Sequence, residues 1–378
     1  MADTALTVKF ASTREQNPER AVLSLKKQFG EGGAPTAVFF FCGTNFDLKA
    51  LGKNLQDSFV CSVAGCTTAG EFSVLSGYGN NSLVAVAVTS SKFCIKTYLL
   101  KDLDTFSLSQ GKTLENVFAE DFPEPPRGVN NRFGLLLIDG MSFREEHVIG
   151  TLSASLGHLP IIGGSAGDNL QFSKTFVYSK GEFHSNAATL TVVETSHPFK
   201  IFQTQHFKPT GKKLVITESI PKERLVSEIN GFPAASEYAR LIGLDKDELS
   251  SDVFSLHPVM LKIDGNYYVR SIQRVNEDGS LTFYCAIDTG LVLTIGTGEN
   301  IVEETKSALA TIAGEVGNVK LLIGCDCILR KLELESGHLQ EKMATVLKEY
   351  NSIGFSTYGE QFKGLHINQT LTGIMLGE

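Results

Sequence analysis

Gly65-Cys66-Thr67-Thr68-Ala69-Gly70-Glu71 is written again as Gly163-Gly164-Ser165-Ala166-Gly167-Asp168, and a third time as Gly354-Phe355-Ser356-Thr357-Tyr358-Gly359-Glu360. Each copy closes on a small hydroxyl residue, one spacer, a glycine and a carboxylate. From Glu71 to Asp168 is 97 positions, and from Asp168 to Glu360 is 192, close to twice that. Spacing of this kind points to duplication, so the repeat is read before any isolated motif.

The surroundings of the phrase repeat as well. An apolar run comes first: Ala37–Cys42, then Phe133–Ile138, then Val319–Gly324. A helix-like stretch follows, clearest in Glu145–Leu156 and Leu339–Tyr350, where apolar residues recur three and four apart. A short strand such as Leu159–Ile162 leads into the glycines. Another closes the unit, at Ser82–Val88, Ala187–Val193 and Gln369–Leu376, each introduced by an asparagine (Asn81, Asn186, Asn368). The unit is β-α-β-turn-β, and the fold class expected is α/β, with α+β as the variant: two domains of duplicated units, mixed sheets covered by helices. A fourth copy would fall near Asp264, where the phrase is absent, so that copy is expected to be degenerate or replaced, and two copies per domain is the simplest account. The expected division is residues 1–195, an inter-domain segment 196–216, and residues 217–378.

Composition narrows the function classes. The 378 residues are 42% hydrophobic and 20% charged, with a formal charge of −8. Nucleic acid is not an expected partner, since phosphate binding needs a concentrated cationic face. The longest apolar runs are of strand length, and no membrane span is expected. Met1-Ala2-Asp3-Thr4 lacks the basic patch and apolar stretch of a signal peptide, and seven cysteines follow no disulfide rhythm, so a cytoplasmic location is expected.

The phrases allow two readings. Gly65, Gly70, Gly163, Gly164 and Gly167 can serve tight strand-to-strand turns. Alternatively, with Cys66, Thr67 and Ser165, they form a cradle whose backbone N–H groups and hydroxyls face a ligand. Neither G-x-x-x-x-G-K-[ST] nor G-x-G-x-x-G after a strand occurs. Glu71, Asp168 and Glu360 could act in acid–base chemistry, though hydrogen bonding within the turn is the simpler role. Cys325-Asp326-Cys327 has no second cysteine pair to complete a zinc site.

These phrases resemble the FIST sensory family of signal-transduction proteins. The resemblance is carried by Val63–Phe72, by Ile138-Asp139-Gly140 leading to Pro160–Asp168, by Glu228–Ala234, by Asp326–Arg330, and by Gly354–Glu360 with Asn368-Gln369-Thr370. It implies an N-terminal and a C-terminal FIST domain that together sense a small ligand without catalysis. Such modules often adjoin output domains; this chain is expected to be free-standing. The segment Phe202–Thr210 looks like the NosP subgroup, which implies haem b as cofactor, nitric oxide as signal, and a partner such as a histidine kinase or a diguanylate cyclase or phosphodiesterase of a two-component system.

Among eight histidines, His206 is the leading candidate for the haem iron. It is flanked by Phe202 and Phe207 in the expected inter-domain segment, and His257 is the runner-up. No C-x-x-C-H occurs, so a haem would be held non-covalently. The competing ligand is a small metabolite such as an amino acid. The competing class is an enzyme using Cys66 and Glu71.

Overall fold

In a computed structural model, residues 5–31, 33–123 and 131–378 are described. The chain divides into two compact units. One comprises residues 1–203, 306–365 and 371–378; the other comprises 204–305 and 366–370.

The first unit holds all three copies of the repeat. In each, two parallel strands flank a helix: Ala37–Cys42 beside Ser62–Thr67, Arg132–Ile138 beside Ile161–Ser165, and Val319–Cys327 beside Ser352–Thr357. The closing strands Leu83–Thr89, Ala187–Thr195 and Leu371–Gly377 add antiparallel to the first strand of their own copy. The expected helices form at Glu145–Ser155 and Gln340–Lys348. The parallel strands Ala37–Cys42 and Arg132–Ile138 are buried along their whole length, and all but Arg132 of their residues are apolar or glycine, as two-sided burial requires. The mixed, helix-covered sheets expected of an α/β chain are therefore present.

A further strand and helix precede each copy: Thr7–Thr13 with Pro18–Phe29, Phe93–Lys101 with Leu108–Asp121, and Phe199–Thr204 with Ile301–Val316. In the third copy these two are separated by most of the second unit. The long interval between Asp168 and Glu360 thus reflects an insertion. A fourth copy near Asp264 does not exist: that residue sits in the turn of an antiparallel hairpin, Val259–Ile263 with Asn266–Arg270. Two copies per domain is corrected to three copies in one unit.

The phrase glycines are where the copies exchange strands. After each phrase the chain leaves its own sheet and adds a three-residue strand to a neighbour's. Glu71–Ser73 pairs with Ser352–Thr357, Glu360–Phe362 with Ile161–Ser165, and Val177–Ser179 with Ser62–Thr67. Copy one completes copy three, copy three completes copy two, and copy two completes copy one. The result is three six-stranded sheets closed in a cycle.

Separate cores lie under the sheets. Phe40, Leu51, Leu55, Leu83 and Tyr178 belong to one, and Leu136, Ile138, Leu152, Leu156 and Leu190 to another. Each fully buried Leu or Phe contributes about 1.5–3 kcal/mol by leaving water.

The second unit is one antiparallel eight-stranded sheet with helices Ala234–Ile242 and Ser251–Leu256. Its strand order begins with Asn266–Arg270 and ends with Ile272–Val275. Only Ser271 separates those two strands in the chain, so the sheet bends back on itself at that residue. Residues 366–370 pack with this unit. Among the described residues, no helix is long and apolar enough to cross a membrane.

Candidate functional site

The three phrases meet at the centre of the first unit. Ala69 N donates to Ser356 O (3.0 Å) and Ser356 N to Gly70 O (2.7 Å). Ser165 N donates to Gly359 O (2.8 Å), and Tyr358 N to Ser165 O (3.3 Å). Gly167 N and Asn169 N donate to Thr67 O (3.0 Å) and Thr68 O (3.3 Å). The donors that a ligand cradle would offer are spent, in this conformation, on the neighbouring phrases.

The first glycine of each phrase has one geometric duty. Gly65 lies opposite Phe40 in the parallel ladder, Gly163 opposite Leu136 and Gly354 opposite Gly324. A Cβ there would stand 2.3, 1.8 and 2.0 Å from the facing carbonyl oxygen. Gly164 is pressed against Cys325, Phe355 and Thr357. Gly70, at φ 133°, turns the chain toward the neighbouring sheet.

The carboxylates hold the turns. Asp168 accepts from the backbone N–H groups of Phe172 (2.9 Å), Ser173 (2.7 Å) and Lys174 (3.0 Å), and from the Tyr358 hydroxyl. Glu71 accepts from Thr68 Oγ1, Ser82 N (3.1 Å) and Ser82 Oγ (2.7 Å). Burial pushes its carboxyl above the usual range, against those hydrogen bonds and nearby Lys331. Lys331, whose ammonium donates to Ala69 O (2.8 Å) and Asn80 Oδ1, is itself pushed down by burial. Both groups are driven toward their neutral forms by loss of water.

Cys66 is fully buried. Its thiol lies well above the ordinary value because of burial first, then the proximity of Cys325, Cys42 and Glu71. That environment opposes the thiolate on which nucleophilic chemistry depends. Thr67 exchanges hydrogen bonds with Phe176 across copies. Ser165 Oγ donates to Glu145 (3.4 Å) and accepts from Gln361 Nε2 (3.1 Å). Cys325 and Cys327 are buried, and Asp326 between them pairs with Arg330 (2.6 Å) and accepts from Tyr78 (2.7 Å).

His206 belongs to the second unit and is buried. Its ring packs on Phe207 at 4.1 Å between centroids, and its carbonyl accepts from Glu299 N (2.7 Å). The Gly298 backbone lies beside the ring: a Cβ there would stand 4.0 Å from Nε2. The ring is buried against Phe207 and the Gly298 backbone, so the imidazole is covered by protein in this conformation. His257 is half-buried at the end of Ser251–Leu256, and burial followed by Lys212 lowers its pKa. His206 and His257 thus lie in the inserted unit, whereas the three phrases belong to the first unit.

A cleft of about 490 Å³ opens in the first unit, lined by Gln56, Ser62, Lys96, Tyr98, Asp121 and Lys180 among others. Asp121 there accepts from Lys96 (3.1 Å) and Tyr98 (2.9 Å), and these hydrogen bonds lower its pKa.

A buried polar cluster in the second unit escapes reading from sequence. At the corner where the sheet bends back, Arg270 Nη1 donates to His366 O (2.6 Å), and Ser271 N donates to Asn368 Oδ1 (3.4 Å). Ser271 Oγ donates to Gln369 Oε1 (2.9 Å), and Gln369 Nε2 to Ser255 O (2.9 Å). Every one of Arg270, Ser271, His366, Asn368 and Gln369 is buried. The signal available was the Asn368-Gln369-Thr370 phrase. Asn81 and Asn186 adopt left-handed φ before their closing strands, whereas in the third copy that conformation falls on Gln369. Asn368 is thereby free to reach Ser271.

Comparison with known proteins follows this geometry. An uncharacterized protein of Methanocaldococcus jannaschii is 26% identical over 283 residues, 65% of this chain and 54% of its own length. The chain therefore spans about half the length of the curated relative it matches. Among solved structures, the cyanuric acid hydrolase from A. caulinodans superposes with a TM-score of 0.38 at 9% identity, over 99% of this chain and 100% of that one. PurL of T. maritima gives 0.24 at 10% identity, over 100% and 74%. Neither resemblance is close enough to assign a fold or an activity. The family models are decisive: the FIST N domain matches residues 36–231 and the FIST C domain residues 234–363. The chain belongs to the FIST family of signal-transduction sensor domains that bind small ligands.

Proposed function

We propose that this protein senses a small ligand and passes its bound state to a signalling partner such as a histidine kinase or a diguanylate cyclase or phosphodiesterase. The observation that carries this reading is the match of both FIST domains, in order, from residue 36 to residue 363. A sensor works by binding one arrangement of the protein better than another, so its output is a shift in partner binding or activity with ligand.

The ligand favoured by the resemblance of Phe202–Thr210 is haem b, with nitric oxide as the signal. The burial of His206 against Phe207 supports this choice, and the packing of Phe207 and Gly298 on its ring means that the imidazole must be uncovered to ligate iron. The test is an absorption spectrum of the purified protein with added haemin, and of the reduced form with nitric oxide. A saturable Soret band, shifted by nitric oxide and altered in His206→Ala, is the expected result. The absence of a specific band would reject haem and turn the search to small metabolites by thermal shift.

A further inference from the structure

We propose that the corner of the second unit around Arg270 and Asn368 binds the carboxylate of a small monoanionic ligand. The inference gives chemistry to the small-ligand reading and is independent of haem.

The argument begins with a charge that lacks a counter-charge. Arg132 and Arg270 are each 7% exposed. Arg132 is paired with Glu194 at 2.5 Å, and the fully buried Arg330 with Asp326 at 2.6 Å. Arg270 forms no ion pair among the described residues, and its hydrogen bond there goes to a neutral carbonyl, His366 O. Removing a guanidinium from water without an anion is costly, and buried charges in folded proteins are paired as a rule.

A second group of the same junction, Asn368, has an unspent donor. Asn368 is 1% exposed, and its Nδ2 has no hydrogen-bond partner, although its Oδ1 accepts from Ser271 N. Asparagine carries two N–H donors on that nitrogen, and leaving them unmet in the interior is unfavourable. The two groups belong to one junction. Arg270 and Ser271 are adjacent in the chain, and both are laced to the segment His366–Gln369.

A guanidinium with no carboxylate partner among the described residues and an amide N–H group with no acceptor together offer an oxyanion site. The charge balance selects the class. One cation is neutralised by one carboxylate, whereas phosphate near neutral pH brings between one and two negative charges to the same fork.

The experiment uses the full chain and sodium acetate, with inorganic phosphate at matched ionic strength as the contrast. Binding is followed by the linewidth of the acetate methyl resonance and by the thermal midpoint. Acetate is expected to saturate one site, and Arg270→Gln to weaken it at least about tenfold. Asn368→Asp keeps the acceptor for Ser271 N and sets a carboxylate where the ligand's would lie. It is expected to abolish acetate binding while the thermal midpoint stays at or above that of the parent protein. This variant carries the test even if Arg270→Gln fails to fold. No saturable acetate binding, acetate binding unchanged in Asn368→Asp, or tighter binding of phosphate than of acetate would overturn the proposal. If acetate saturates the site yet leaves every kinase or cyclic-di-GMP partner unaffected, the anion site stands and the sensor reading fails instead.

Discussion

Replacing Gly163 with alanine tests whether the glycine phrases are a packing hub. The new Cβ would lie 1.8 Å from Leu136 O, whereas real Cβ contacts essentially never fall under 3.0 Å, so the strands must part by about 1.2 Å. The obstacle is backbone, and no rotamer change relieves it. The displacement disturbs the parallel ladder on either side, at Leu135 with Ile162 and Leu137 with Gly164. Two weakened ladder hydrogen bonds cost about 1 kcal/mol each, and overpacking adds about 1–3 kcal/mol. The expected loss is therefore about 3–5 kcal/mol, a large part of the roughly 5–15 kcal/mol that holds a domain folded. Urea unfolding followed by circular dichroism reads this directly, since the chain has no tryptophan. Gly150→Ala is the control: that glycine lies on the exposed side of Glu145–Ser155 with nothing within 4 Å of a built Cβ. It should gain up to about 1 kcal/mol from helix propensity. A Gly163→Ala protein within about 1 kcal/mol of the parent, with an unchanged slope in urea, would refute the hub.

The remaining expectations follow from neighbouring groups. Tyr358→Phe removes the hydroxyl that donates to Asp168 and accepts from Leu170 N (2.8 Å), so stability should fall by about 1–3 kcal/mol, and a change below about 0.5 kcal/mol would be inconsistent. Glu71 has a folded pKa raised above its unfolded value of 4.5, so the native state binds the extra proton, and stability must fall as pH rises from 4.5 through the folded value. Glu71→Gln should flatten that part of the urea-midpoint profile, and an unaltered slope would count against the assignment. Exposed Cys94 should react with a thiol reagent in the native protein before Cys42, Cys66, Cys285, Cys325 and Cys327, which are buried; native-state labelling of Cys66 at the rate of Cys94 would contradict the burial.

The β-α-β units were legible because their signals are local. Ala37–Cys42 is an unbroken apolar run, Glu145–Leu156 has helical spacing, and the glycine phrases overlap the ends of short strands. The number of copies per domain was misread for an equally physical reason. Spacing between phrases counts residues and does not reveal that residues 204–305 leave the repeat between one strand and the next helix. The exchanged strands, such as Glu71–Ser73 and Glu360–Phe362, are three residues long and too short to show a period. Arg270 ends an ordinary strand, Asn266–Arg270, and nothing adjacent in sequence announces that it is buried. Its lack of a counter-charge is a property of the fold's long-range contacts.

The cyclic exchange of strands also sets a timetable for synthesis. Phe72 pairs with Gly354, 282 positions later in the chain. At about 5–20 residues per second, the strand Glu71–Ser73 waits roughly 15–55 s on the ribosome for the strand it completes. Until then the strand Glu71–Ser73 lacks its partner in the third copy, although Val177–Ser179 of the second copy can already complete the first sheet. Most of the inserted unit emerges during this wait, but its segment 366–370 is made after the strand Ser352–Thr357. Folding of both units therefore waits for residues beyond 350, and the nascent chain should depend on protection of exposed strand edges until then.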